Sequence, residues 1–162
     1  MTVVLRRVEN TLKKVMRRRG GVEIKAALQK AEDNLAALEP PMTKELDAGL
    51  ARLQGLVGRG ETERPSLETL KAVCVLGDEL LALCAVSRHA GLPEALNRLC
   101  LMADALTLSD FWTPGALDPA MDLATLCRSA NLDDAVLQPL ISGLDLCVAQ
   151  YLKHDPASAA AP

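Results

Sequence analysis

Between Ser66 and Gly91 the apolar residues crowd every face of a helical repeat: Leu67, Leu70, Val73, Cys74, Val75, Leu76, Leu80, Leu81, Leu83, Cys84 and Val86. A helix this apolar must be covered on most of its sides. The stretch is therefore expected to be the central helix of an all-α bundle. Ser66 stands where it would cap the helix start, and Glu68 in the first turn complements the helix dipole. Gly91 stops the helix and Pro93 opens the next one, so the two should form an antiparallel hairpin. In the second arm Leu96, Leu99, Cys100, Ala103 and Leu106 make an apolar stripe, with Asn97, Arg98 and Asp104 outward.

The same periodicity runs through the rest of the chain. Residues 2–18 read as a basic amphipathic helix, with Val4, Val8, Leu12, Val15 and Met16 on one side. Gly20-Gly21 breaks it, and a second helix begins near Val22 with Ile24, Leu28, Ala31, Leu35 and Leu38 at helical spacing. Pro40-Pro41 should end or sharply bend that helix. A third segment, Met42 to Val57, places Leu46, Leu50, Leu53 and Val57 on one face; the alternative is a single long helix kinked at the prolines. After the polar loop at 58–65 and the central hairpin, a loop from Thr107 to Leu117 holds Phe111-Trp112, aromatics that either pin the loop to the bundle or form an exposed docking knob. Asp118-Pro119 starts a helix running to about Ala130. The last helix starts at Asn131, Asp133 and Asp134, is kinked or delayed by Pro139 and Gly143, and sends Leu137, Leu140, Ile141, Leu144, Cys147, Val148 and Leu152 to the core. The tail after His154 is low in complexity and expected to be disordered. Three parts follow: a basic helix at 1–19, a helical bundle domain at 22–153 and a tail at 154–162. The predicted architecture is an antiparallel helical bundle with extra N-terminal helices.

Composition supports helix over strand. Hydrophobic residues make up 49 % of the chain but aromatics only 2 %, so Leu, Ala, Val, Cys and Met must build the core. Charge is distributed unevenly. The first 30 residues carry nine Lys and Arg against two Glu, a net +7, and the remainder a net −10. A basic end on an acidic body suggests an anionic partner for Arg6, Arg7, Lys13, Lys14, Arg17, Arg18 and Arg19. A phosphate backbone is one such partner, although no aromatic residue is interleaved among these cations for base stacking. The same helix could instead pair across a twofold axis in a homodimer.

The five cysteines, odd in number and set in apolar helical patterns, read as reduced thiols of a cytoplasmic core. No signal peptide is expected, and no apolar run without charges reaches membrane-spanning length. Candidate chemistry is sparse. Only His89 and His154 supply imidazoles, neither beside a thiol in a way that argues pairing, and His154 reads as a solvated helix-end residue. There is no paired-carboxylate signature, no metal-ligand spacing and no phosphate-binding glycine loop. Neither an enzyme, a cofactor nor a metal is expected.

The stretch LGDELLALC and the AVSRHAGLPEAL that follows it resemble the histidine phosphotransfer (HPt) domain, in which a helix carrying an exposed His is followed by Lys-Gly and ends at a Gly-Leu. Gly91-Leu92 and the downstream Leu96, Leu99, Cys100 and Leu106 match the second half of that pattern. Counting back from Gly91 puts Leu81 at the phosphoacceptor position, with Cys84 and Ala85 in place of Lys-Gly. His89 is a poor substitute, since Leu92-Pro93 stands where it would need Lys-Gly; interaction with the last helix carbonyls is its expected role. The chain is also similar, over roughly residues 15–153, to the bacterial chemotaxis family called CheE, through Gly20 to Leu38, the Leu-rich helix after it and the Gly91-Leu92 hairpin. Arg17 to Arg19 and Pro40-Pro41 have no place in that likeness. These resemblances imply a four-helix HPt-like core without its phosphoacceptor. The function they imply is that of a non-catalytic cytoplasmic adaptor or scaffold of chemotaxis or two-component signalling. Leu81, Cys84 and Arg88 would dock a response-regulator receiver domain or a kinase. Binding of nucleic acid through the basic N-terminal helix is the alternative.

Overall fold

The apolar periodicity becomes five α-helices in the computed structural model, which describes residues 24–60, 62–84, 89 and 91–153. They are α1 (Ile24–Val57), α2 (Leu67–Cys84), α3 (Leu92–Leu108), α4 (Asp118–Ser129) and α5 (Asp134–Lys153). No strand occurs among the described residues, and the fold is all-α. The chain divides into two compact units, Met1–Leu38 and Glu39–Pro162. The expected boundary at Gly20-Gly21 lies outside the described residues, as do the basic helix at 2–18 and the tail after His154.

α1 does not stop at Pro40-Pro41 but runs through both prolines. Each proline removes one intrahelical hydrogen bond, those to the carbonyls of Ala36 and Ala37. Both alanines and both prolines are exposed, so solvent can satisfy the freed carbonyls. The division between the two units falls beside this weakened turn. In the second unit, Leu46, Gly49, Leu50, Leu53 and Val57 of α1 are buried.

The central helix is α3, not the more apolar stretch before it. α3 packs against α2, α4 and α5, and Leu92, Ala95, Leu96, Leu99, Met102, Ala103, Ala105 and Leu106 are all at most 1 % exposed. Its alanines let neighbours approach on several sides while its leucines fill the gaps. α2, by contrast, leaves Leu67 52 % and Val75 60 % exposed. α2 and α3 run antiparallel: Cys74 lies opposite Cys100 and Asp104, and Gly77 packs against Cys100 so closely that a Cβ there would overlap the sulfur. Gly49 gives α1 the same closeness to Leu80 of α2.

α2 is helical as far as Cys84, short of the stop expected at Gly91, and residues 85–88 and 90 lie outside the described residues. The helix starts follow the sequence signals with one exception. Ser66 Oγ accepts the Thr69 amide at 3.0 Å, Asp133 Oδ1 accepts the Val136 amide at 2.9 Å, and Pro93 and Pro119 stand in the first turns of α3 and α4. Asp118, however, accepts the Gly60 amide at 3.1 Å instead of capping its own helix. That bond ties the 58–65 loop to the bundle, and Arg64 does the same by donating to the carbonyls of Leu106 and Ser109 at the α3 C-terminus. Trp112 is half-buried and its indole donates to the Thr62 carbonyl at 3.3 Å. Phe111 keeps 41 % exposure while its ring lies 5.6 Å from that of Tyr151. The aromatic pair therefore holds its loop down.

In α5 the buried stripe is Leu137, Ile141, Leu144, Val148 and Tyr151. Leu140 and Leu152, expected in the core, are 42 % and 45 % exposed. They fall outside the 4-3-4-3 spacing of the stripe. α5 is also long and apolar enough, by length and composition alone, to cross a membrane; here its stripe packs on α3, and Asp145 at mid-helix pairs with Arg98 at 2.7 Å.

Candidate functional site

Of the patch expected around Leu81, the described residues include Leu81 and Cys84. Leu81 is half-buried and packs against the core, and Arg88 lies outside the described residues. Cys84, expected to contact a partner, is instead a core residue with 4 % exposure. A register counted back from Gly91 fixes where a residue falls along the helix, but neighbouring helices decide which side they cover. The cations Arg6, Arg7, Lys13, Lys14, Arg17, Arg18 and Arg19 also lie outside the described residues.

His89 is half-buried and engaged by a charged chain. Arg128 Nη1 donates to His89 Nε2 at 3.0 Å, since a guanidinium has no acceptor. The same Arg128 donates from Nε and Nη2 to the two carboxylate oxygens of Asp47, at 2.7 and 2.9 Å. His89 therefore faces Arg128; the carbonyls of residues 85–88, its expected partners, lie outside the described residues. Its Nε2 lone pair, the one that would attack phosphorus, is occupied. The cluster ties α1, the turn before α3 and the end of α4 together.

Three of the five thiols are held as thiols. Burial, reinforced by the Asp104 carboxylate that accepts its hydrogen bond, pushes Cys74 up to about 12; burial, with Asp78 and Asp104 nearby, pushes Cys100 up to about 11. Cys127 moves the same way through burial, with a smaller contribution from Glu94. A protonated thiol is a poor nucleophile and a poor metal ligand. Among the described residues no group of three or more His, Cys, Asp or Glu could hold a metal ion.

These shifts give a pH dependence. An unfolded cysteine ionises near 9.0, whereas the folded chain retains the protons of Cys74 and Cys100 to about 12 and 11. The contribution is fully present below 9 and is lost as pH rises through the folded values. Denaturant midpoints are expected to decline between about pH 9 and 12, more shallowly in a Cys74→Ala/Cys100→Ala variant. Parallel declines in the two proteins would contradict it.

What the structure does assemble is an apolar groove between α4 and α5. Each helix packs on α3, but they touch one another little, leaving a cleft of about 430 Å³. α4 supplies Pro119, Leu123 and Leu126; α5 supplies Pro139, Leu140, Gly143, Leu144 and Cys147. A side chain at Gly143 would meet nothing within 4 Å, so its absence opens the α5 wall. Leu126 and Leu140 present 41 % and 42 % of their surface. Asp122 marks the polar rim, held by Arg59 at 3.1 Å. A wider depression of about 480 Å³ between α1 and α2 is bordered by Arg52 and Glu79 and has Val75 as its exposed large aliphatic residue. The α4–α5 groove concentrates more exposed aliphatic surface.

Sequence reasoning missed this groove because Leu140 looks like any other core leucine. The usable signal was Pro139 and Gly143, two residues that leave one helix face thinly clothed. Comparison with protein-family models, curated proteins and solved structures gives no match for this chain.

Proposed function

We infer that the protein is a non-catalytic helical adaptor of bacterial chemotaxis or two-component signalling, binding a receiver domain or a kinase by protein–protein contact. The supporting observation is the apolar groove between α4 and α5, with Leu126 and Leu140 on opposite walls. Exposed aliphatic walls around a concave floor suit an amphipathic helix laid lengthwise, its apolar side inward. The signalling assignment comes from the HPt-like hairpin ending at Gly91-Leu92, without a His at Leu81. Action by occupancy agrees with the engaged His89 Nε2 and the protonated buried thiols.

A Leu126→Asp/Leu140→Asp variant is expected to weaken binding to a receiver domain or kinase at least a hundredfold, measured by titration calorimetry against a purified panel of both. Both positions are substantially exposed, so helicity and unfolding midpoint should be retained. Undiminished affinity in the variant, or no binding to either partner class by the native protein, would refute the assignment.

A further inference from the structure

α1 presents a seam in the first unit, distinct from the groove and independent of its reading. Every residue from Ile24 to Leu38 is exposed. Ile24 shows 66 % of its surface, Leu28 59 %, Leu35 54 % and Leu38 50 %. With Ala31 between them these residues recur at 4-3-4-3 spacing, the a and d positions of a helix packed lengthwise on another. A lone helix of this length is marginal in water, and large aliphatic side chains on successive turns need a cover.

Charges beside the seam select the cover. Lys25 and Glu32 fall on the same flank, about 80–100° around the helix from the centre of the seam, where charged residues decide the partner and direction of a paired helix. Neither has an ion-pair partner among the described residues, whereas Asp33, on the outer side, accepts a hydrogen bond from Gln29 at 3.1 Å. Opposite charges one heptad apart on one flank are complementary to a copy of themselves run in reverse. In an antiparallel pair that sets Ile24 against the partner's Leu35, the twofold axis brings Lys25 beside the partner's Glu32, and Glu32 beside the partner's Lys25. The same register sets Leu28 against the partner's Ala31, so each small residue faces a large one.

Other arrangements lose these features. In a parallel pair Ala31 meets the partner's Ala31, which leaves a gap, and Glu32 comes beside uncharged Ala27. Sliding the antiparallel pair by one heptad brings Glu32 against the partner's Glu32 in one direction and Lys25 against the partner's Lys25 in the other. Both are like-charge contacts at the axis, which an interface avoids.

We propose that two copies of this chain pair along Ile24, Leu28, Ala31 and Leu35 as an antiparallel twofold dimer, held in register by reciprocal Lys25–Glu32 pairs. The strip engages fewer residues than the about 20–30 a side of a standard interface, so the dimer is weak. Sedimentation equilibrium of the full chain over about a hundredfold range of concentration should show a monomer–dimer equilibrium. Lys25→Glu and Glu32→Lys each turn two attractions into two repulsions, and each alone should weaken the dimer about tenfold. Together they restore opposite charges at the same contacts, so the double variant should dimerise within about twofold of the native chain. Leu28→Asp should leave a monomer whose unfolding midpoint is that of the native monomer, its site being exposed. A native chain that stays monomeric throughout would overturn the proposal. So would a dimer that the single reversals leave intact or that the double reversal fails to restore, since the contact would then lie elsewhere or in another register.

Discussion

Leu99→Ala is expected to lower the unfolding free energy by about 2–5 kcal/mol, through lost burial and the cavity left behind. Leu99 is fully buried on the helix that contacts α2, α4 and α5, so no single neighbour can close the hole by moving inward. Val75→Ala provides the contrast. Val75 lies on α2, the most apolar stretch of the chain, yet it is 60 % exposed, and its truncation should stay within about 0.5 kcal/mol. Denaturant unfolding with unchanged slopes would measure both. Equal losses at the two positions would contradict α3 as the central helix.

The second large effect is a reversal of sign. Gly77→Ala alone should destabilise, because its new Cβ would overlap the Cys100 sulfur, and overpacking a filled core costs about 1–3 kcal/mol. That sulfur is the one heavy atom within 4 Å of the Cβ position, apart from the local helix backbone. In a Cys100→Ala background the obstruction is gone, and what remains is the preference of a helix for alanine over glycine, about 1 kcal/mol. Gly77→Ala should therefore stabilise the Cys100→Ala protein. A double-mutant cycle should give a favourable coupling of about 0.5–3 kcal/mol. Additive effects would place the α2–α3 contact somewhere other than Gly77 and Cys100.

The helices were legible because their signals are local. Apolar spacing, Ser66 before its amide partner, Asp133 before Val136 and prolines in first turns each involve residues a few positions apart. The relative importance of the helices was not legible in that way. α2 has the higher density of large apolar residues, but α3 is covered from more directions, and its alanines look like filler until neighbours are packed against them. Pro40-Pro41 misled for a related reason: a proline pair stops a buried helix, but this pair lies on an exposed stretch where water can satisfy the freed carbonyls.

The candidate site was less legible still. The interval back from Gly91 gave Leu81 and Cys84 a register without saying which face would be covered, and Cys84 turned out to be core. Leu140 has the chemistry of a core residue and sits one position from buried Ile141. Only the separation of α4 from α5 turns it into a groove wall. Distinguishing a core leucine from a docking leucine requires knowing which helices fail to meet, a property of the tertiary arrangement.

The claim that this groove receives the partner is tested most directly by hydrogen exchange on a saturated complex with a receiver domain or kinase from the binding panel. The account predicts new protection confined to residues 119–126 of α4 and 139–147 of α5, absent when Leu126→Asp/Leu140→Asp replaces the native chain. Protection centred on residues 81–84 of α2, with the α4 and α5 segments exchanging as in the free protein, would contradict it.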